Sequence, residues 1–274
     1  MEITKKYIKK LLRLFMRPEL KVLPGNIAFF LVLSIFPIIT LCGFLASFFN
    51  VSLDSVVDLM SKVLPGDVNN ILVPYITGSG MDFHIGFSII TGYIVASNGA
   101  HSIIVSCNTL YGFEHSNYIK RRIKSLFITI LLVFLFIFTL FVLAFGNTIL
   151  KFVLSFNFFG EFGDSIYYLF LLLKWPIAVI FIYFMMKLIF ILAPDSYIKG
   201  KLTIRGCLFT TFAWIVSSFV YSFYVINFSH YDIFYGSLSN IIVMIMWIYI
   251  LAYSLVIGIA INVQDYKDYI RNNS

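Results

Sequence analysis

YIKRRIKSLFITILLVFLFIFTLFVLAFGNTIL, residues 118–150, decides how the rest of the chain is read. Lys120, Arg121, Arg122 and Lys124 crowd its start, and no further charge appears until Lys151. A bilayer core is ~30 Å thick and a helix rises ~1.5 Å per residue, so a spanning helix needs roughly 20 mostly apolar residues. Leu126 to Ile149 meets that need. The basic cluster before it is what the cytoplasmic flank of a membrane helix carries.

Five further windows have the same character: Ile27 to Phe49, Gly86 to Leu110, Ile166 to Ala193, Gly206 to Ile226 and Leu238 to Ile261. None of the six contains aspartate or glutamate. The chain is 60% hydrophobic and 12% charged, where a soluble domain is about 25% charged. A soluble fold of 274 residues could not hide that much apolar surface. Backbone in lipid must satisfy its own hydrogen bonds, and the short alternating segments of a β-barrel are missing, so the windows read as helices.

Sixteen of the twenty Lys and Arg residues fall in the N-terminal segment, the second and fourth loops and the C-terminal tail. Lys62 and Lys151 lie on the opposite side, and Lys174 and Lys187 fall inside the fourth window. The expected fold is therefore all-α: a polytopic membrane protein with six transmembrane helices and both termini cytoplasmic. A basic segment covers residues 1–26, the membrane domain 27–262 and a cytoplasmic tail 263–274. The net charge of +7 could suggest nucleic acid, but its placement points to the membrane, and no nucleic-acid partner is expected. The expected partners are membrane lipids, with anionic inner-leaflet lipids drawn to the basic loops by about 1 kcal/mol per basic residue. Assembly with further copies of the chain stays open.

Cys42, Cys107 and Cys207 lie in or beside the windows, so no disulfide framework is implied. The first apolar run is too long for a signal-peptide core and lacks an A-x-A-like site, so it reads as an uncleaved anchor. Richness in Ile, Phe, Lys and Asn suggests a bacterial genome poor in G and C. Residues 3–17 read as a basic amphipathic helix on the inner leaflet, ended by Pro18 and the Pro24-Gly25 pair. Residues 50–83 read as an amphipathic helical hairpin on the outer side, broken at Pro65-Gly66. There is no internal repeat of the inverted-transporter kind.

Polar groups in the membrane interior are costly, so they are the first places to look for function. Thr91, Asn98, His101, Ser102 and Asn108 share roughly one face of the second window. They suit interhelical hydrogen bonds of ~0.6 kcal/mol each or the lining of a path for a polar or amphipathic substrate, with His101 able to gain a proton near neutral pH. Thr210, Trp214, Ser217, Tyr221 and Tyr224 form a face of the fifth window, and Asn240, Trp247 and Ser254 one of the sixth. These faces suit packing, against each other or the second span, or a lipid-like ligand. Lys174 precedes Trp175-Pro176. It reads either as a surface residue with the span starting near Pro176, or as a buried cation meeting an anionic substrate group. Pro37 can kink the first helix.

No nucleophile elbow, phosphate loop or H-E-x-x-H motif occurs. His84, His101, His115 and His230 are scattered and form no metal set. Neither catalytic residues, nor a metal, nor a cofactor is expected.

Motifs in order along the chain then add a likeness. Ala28-Phe29, Ser34 and Pro37 come first, followed by Asn108-Thr109-Leu110-Tyr111 with Lys120-Arg121-Arg122, and Ala193-Pro194-Asp195. Near the end stand Tyr235-Gly236-Ser237-Leu238, Trp247-Ile248-Tyr249, Gly258 and Asn262. Together these resemble the YihY/virulence factor BrkB family of bacterial inner-membrane proteins, whose early members were labelled ribonuclease BN. The resemblance covers about residues 25–262. It implies a six-helix inner-membrane protein, often taken for a transporter, with no agreed catalytic residues. Ala260 stands where the family usually has an acid, and Gly206-Cys207 where a Gly-Ala pair is common. The leading expectation is a translocator of an amphipathic or lipid-like molecule. A non-catalytic membrane scaffold is the alternative, and ribonuclease activity is not expected.

Overall fold

The computed structural model describes residues 18–48, 83–140, 163–228 and 238–273. The expected helix at 3–17, the outer hairpin at 50–83, and Tyr235 and Gly236 lie outside the described residues, apart from Phe83. The described chain forms helices joined by the short non-helical stretches 112–117 and 193–199, without strands. Its helices are α1 (Glu19–Phe48), α2 (Phe83–Tyr111), α3 (Tyr118–Leu140), α4 (Gly163–Leu192), a 3-10 turn (Gly200–Thr203), α5 (Ile204–Phe228) and α6 (Leu238–Asn273).

Each helix contains one of the apolar windows or most of it, but several ends differ from the sequence reading. α1 starts at Glu19 and runs through Pro24-Gly25, which the sequence reading takes as a break. Pro24 removes only one backbone bond near the helix start. Burial of Leu20 and Ile27 on the same helix offsets that cost. α1 also continues through Pro37, and α4 through Pro176. α6 does not stop at Ile261: the expected tail is helical as far as Asn273.

Consecutive helices alternate in direction. The start of α1, the end of α2, the start of α3, the end of α4, the start of α5 and the end of α6 converge at one end of the bundle. Lys21, Lys120, Arg121, Arg122, Lys124, Lys199, Lys201, Arg205, Lys267 and Arg271 all belong to these segments. This basic end holds much of the densest described core, in which Leu20, Ile104, Ile189, Phe190, Cys207 and Ile259 are almost fully buried. α1 lies along α2 and α6, and α6 also lies along α5. α3 and α4 close the bundle against α2 and α5.

Further from the basic end, the outward faces are apolar. Leu172, Trp175 and Phe184 on α4, and Phe212 and Phe219 on α5, are exposed, Phe219 by 72%. Such a continuous patch marks a lipid or protein contact. Tyr167–Leu192, Gly200–Val225 and Ile241–Asn273 are each long and apolar enough to cross a membrane, and Leu20–Ser34 is a shorter apolar helix. The chain is a helical membrane protein.

Two glycines set the α5–α6 crossing. A β-carbon on Gly206 would run into the Gly258 carbonyl oxygen and the Asn262 amide. One on Gly258 would meet the Thr210 hydroxyl, the Gly206 carbonyl at 3.0 Å and the Phe190 ring at 3.2 Å. The obstacles include backbone, which cannot step aside. Gly25 has nothing within 4 Å of the same position. Gly206→Ala and Gly258→Ala should therefore each lower the melting temperature in detergent, at the ~1–3 kcal/mol typical of overpacking. Gly25→Ala, in open space within α1, should hold it or raise it slightly. Equal melting temperatures for all three would contradict the close crossing.

Candidate functional site: a polar knot and an aromatic seam

Asp195 sits just past the end of α4, in the turn that leads to α5. Its Oδ1 accepts from Lys124 Nζ of α3 at 2.8 Å. Its Oδ2 accepts from Asn108 Nδ2 of α2 at 2.6 Å and from the Ser116 backbone N–H at 3.0 Å. Asn108 Oδ1 accepts in return from the Asp195 backbone N–H at 2.8 Å. Lys124 Nζ also donates to the carbonyls of Ala193, at 3.1 Å, and Pro194, at 2.7 Å. One lysine thus satisfies two carbonyls of the turn just past α4, while the Ala193 N–H closes the helix on the Ile189 carbonyl. Burial pulls the Asp195 carboxyl upward, but the donors from Lys124 and Ser116 outweigh it and hold its pKa at about 2, below the usual 3.8.

α2 ends just above this knot. Its last turn closes at Gly112, with φ of 76°, where the N–H groups of Gly112 and Phe113 both reach the Asn108 carbonyl. A left-handed residue here favours glycine. Tyr111 stacks on Phe113 at 5.1 Å, and Tyr266 of α6 meets both rings edge-on. Arg205 pairs with Asp265 at 2.9 Å, and Gly206 N–H donates to Asn262 Oδ1 at 2.9 Å. These contacts tie α2 to α3, to the turn after α4 and to α6, and α5 to α6, at the basic end.

The polar residues of the second window divide between neighbours. Tyr93 donates to the Leu126 carbonyl at 2.6 Å. Arg122 donates to Asn98 Oδ1 at 2.7 Å and to the Ile94 carbonyl at 3.0 Å. His101 faces Tyr118 across 6.5 Å. The register 93–126, 98–122, 101–118 puts the start of α3 beside His101, so residues 102–111 extend beyond it and the loop 112–117 folds back. Asn98 and His101 therefore lie at the level of the basic cluster rather than at mid-span. Ser102 is buried, and Thr91 lies on α2.

The expected aromatic faces do meet, along the α5–α6 seam. Thr210 packs on Gly258, Trp214 Nε1 donates to the Leu251 carbonyl at 3.0 Å, and Tyr221 stacks on Trp247 at 4.6 Å and 15°. Ser217 is half-buried on α5, and Asn240 lies on α6. Thr210 Oγ1, Tyr221 Oη, Trp247 Nε1 and Asn262 Nδ2 are buried with no hydrogen-bond partner among the described residues. Asn98 and His101 turn to α3, whereas Trp214 turns to α6. Lys174 contacts its exposed neighbour Trp175, 6.0 Å from the ring centre.

Of the motif residues, Ala28, Pro194, Gly258 and Asn262 are buried at helix contacts, and Ser34 donates back to the Leu31 carbonyl. Phe29 and Tyr249 are exposed. Sequence reasoning missed the Asn108–Asp195–Lys124 knot. Each member was noticed separately, but nothing along the chain joins positions so far apart.

The family model described as virulence factor BrkB matches residues 11–273. The chain belongs to that family. The chain is also similar to "Putative ribonuclease-like protein YfkH" of Bacillus subtilis (strain 168), 28% identical over 266 residues, covering 95% of each chain. No solved structure matches.

In this BrkB-family chain, Lys124→Met should cost ~3 kcal/mol, the usual penalty for stranding one member of a buried ion pair. Asp195→Leu should cost a similar amount, and the double variant less than the sum. Asp195 is more acidic folded than unfolded, so its contribution is complete above about pH 5 and fades as pH falls through 4 toward 2. Thermal melts from pH 6 to pH 3 should show wild type losing more stability than Asp195→Leu. Parallel curves would contradict the knot.

Proposed function

We propose that this protein crosses the bacterial inner membrane six times, keeps both termini in the cytoplasm, and moves an amphipathic or lipid-like molecule along the α5–α6 seam. One observation carries the transport reading. The seam keeps Thr210 Oγ1, Tyr221 Oη and Trp247 Nε1 buried and unpaired among the described residues, beside a stacked aromatic pair. An unsatisfied buried donor or acceptor costs ~1–3 kcal/mol. Packing gives nothing back for that cost, whereas a ligand with a polar head and an apolar body would. The six-span topology is supported by the alternation of helix direction and by the gathering of basic residues at one end.

The reading is non-enzymatic, although the Bacillus relative's name includes ribonuclease-like. Phosphodiester cleavage needs metal-binding acids or a histidine acid–base pair in one site. Asp195 and Asp265 are engaged by Lys124 and Arg205 instead. A second reading, a scaffold for envelope-assembly or signalling partners, draws on the exposed Lys120, Lys201 and Lys267 of the basic end.

Proteoliposomes carrying fluorescent phosphatidylglycerol in both leaflets separate the two, with an impermeant quencher added outside. The wild type should speed transfer between leaflets at least tenfold over empty vesicles. Tyr221→Ala combined with Trp247→Ala should return it to background. Undiminished transfer in that variant would reject the seam. No transfer by wild type, with a stoichiometric partner lost on Lys120→Glu and Lys201→Glu, would favour the scaffold.

A further inference from the structure

The crevice between α2 and the start of α3 holds basic groups that meet no carboxylate among the described residues. Elsewhere at the basic end, Lys124 and Arg205 each meet a carboxylate. Arg121 and Arg122 meet none among the described residues. Arg122 is held by neutral acceptors only, Asn98 Oδ1 and the Ile94 carbonyl. Both bonds draw on its terminal nitrogens, which fixes the guanidinium at the mouth of the crevice. Arg121 Nε and His101 Nδ1 are buried there with no partner among the described residues. His115, Arg121 and Arg122 all lie within electrostatic range of His101. Two arginines and two histidines thus converge, and no ion pair with a carboxylate is made by the arginines among the described residues.

What lies beside them is apolar. Ile90 and Ile94 on α2 are exposed, as are Ile123, Phe127 and Ile130 on α3. Arg122 bridges the two helices at the border between this strip and the basic loop. A guanidinium pinned at such a border, with donors left over, matches phosphate geometry. The apolar strip beyond it matches acyl chains.

We infer that the α2–α3 crevice is a binding site for one anionic phospholipid, its phosphate on Arg121, Arg122 and His101 and its chains along Ile94, Phe127 and Ile130. The site rests on the membrane embedding of the chain, and not on transport along α5–α6, which lies on other helices. Its occupant would clamp the start of α3 to α2, compensating charge that is otherwise repulsive.

The test is native mass spectrometry of the full chain released from nanodiscs made of equal phosphatidylglycerol and phosphatidylcholine. The wild type should retain one phosphatidylglycerol in preference to phosphatidylcholine. Arg121→Gln should reduce that retention at least fivefold, while Lys267→Gln, at the same end but away from the crevice, should not. His101→Gln reads the same crevice from α2 and serves if Arg121→Gln aggregates. Equal retention in wild type and crevice variants would overturn the site. So would displacement of the lipid by millimolar inorganic phosphate, which would make the occupant a free anion. Loss of lipid preference with normal membrane insertion would overturn this inference alone.

Discussion

The carboxylate of Asp195 is the interaction on which the described architecture depends. It draws α2, α3 and the turn after α4 to one point through Asn108, Lys124 and Ser116. A charge this buried is tolerated only when it is paired and hydrogen-bonded, and Asp195 has three donors. Because Lys124 also holds the Ala193 and Pro194 carbonyls just past α4, the same contact shapes the turn that leads into α5. In a bilayer, apolar burial gives helices little reason to choose one partner over another. Polar contacts at the membrane edge can supply the choice.

The second constraint is steric. Gly206 and Gly258 let α5 and α6 approach closely beside Asn262. From there the two helices run on through Trp214 and Leu251 to Tyr221 and Trp247. The pinned end and the unpaired polar atoms thus lie on one seam. The tight crossing fixes the register, and the register brings Tyr221 over Trp247.

The helical character, the positions of the helices and the clustering of basic residues were legible in the sequence, because hydrophobic length and charge placement are local properties. The pairing of the fifth and sixth aromatic faces was legible too, as one of two options. The level of α2 against α3 was not. Asn98 and His101 look like mid-span polar residues by position, yet the folding back of loop 112–117 sets them beside Arg122 and Tyr118. The helical tail as far as Asn273 was hidden for a similar reason: its polar residues look like a loop until Asp265 and Tyr266 find Arg205 and Tyr111. Contacts between distant segments decided both.

The central claim is that the knotted, basic end faces the cytoplasm. The most direct measurement is labelling of intact cells with a membrane-impermeant maleimide, using Glu114→Cys and Lys267→Cys at that end and Ser79→Cys in the segment 50–83 that the sequence reading expects on the outer side. The account predicts labelling of Ser79→Cys in intact cells, and of the other two only after the inner membrane is opened. Labelling of Glu114→Cys or Lys267→Cys from outside intact cells would contradict it.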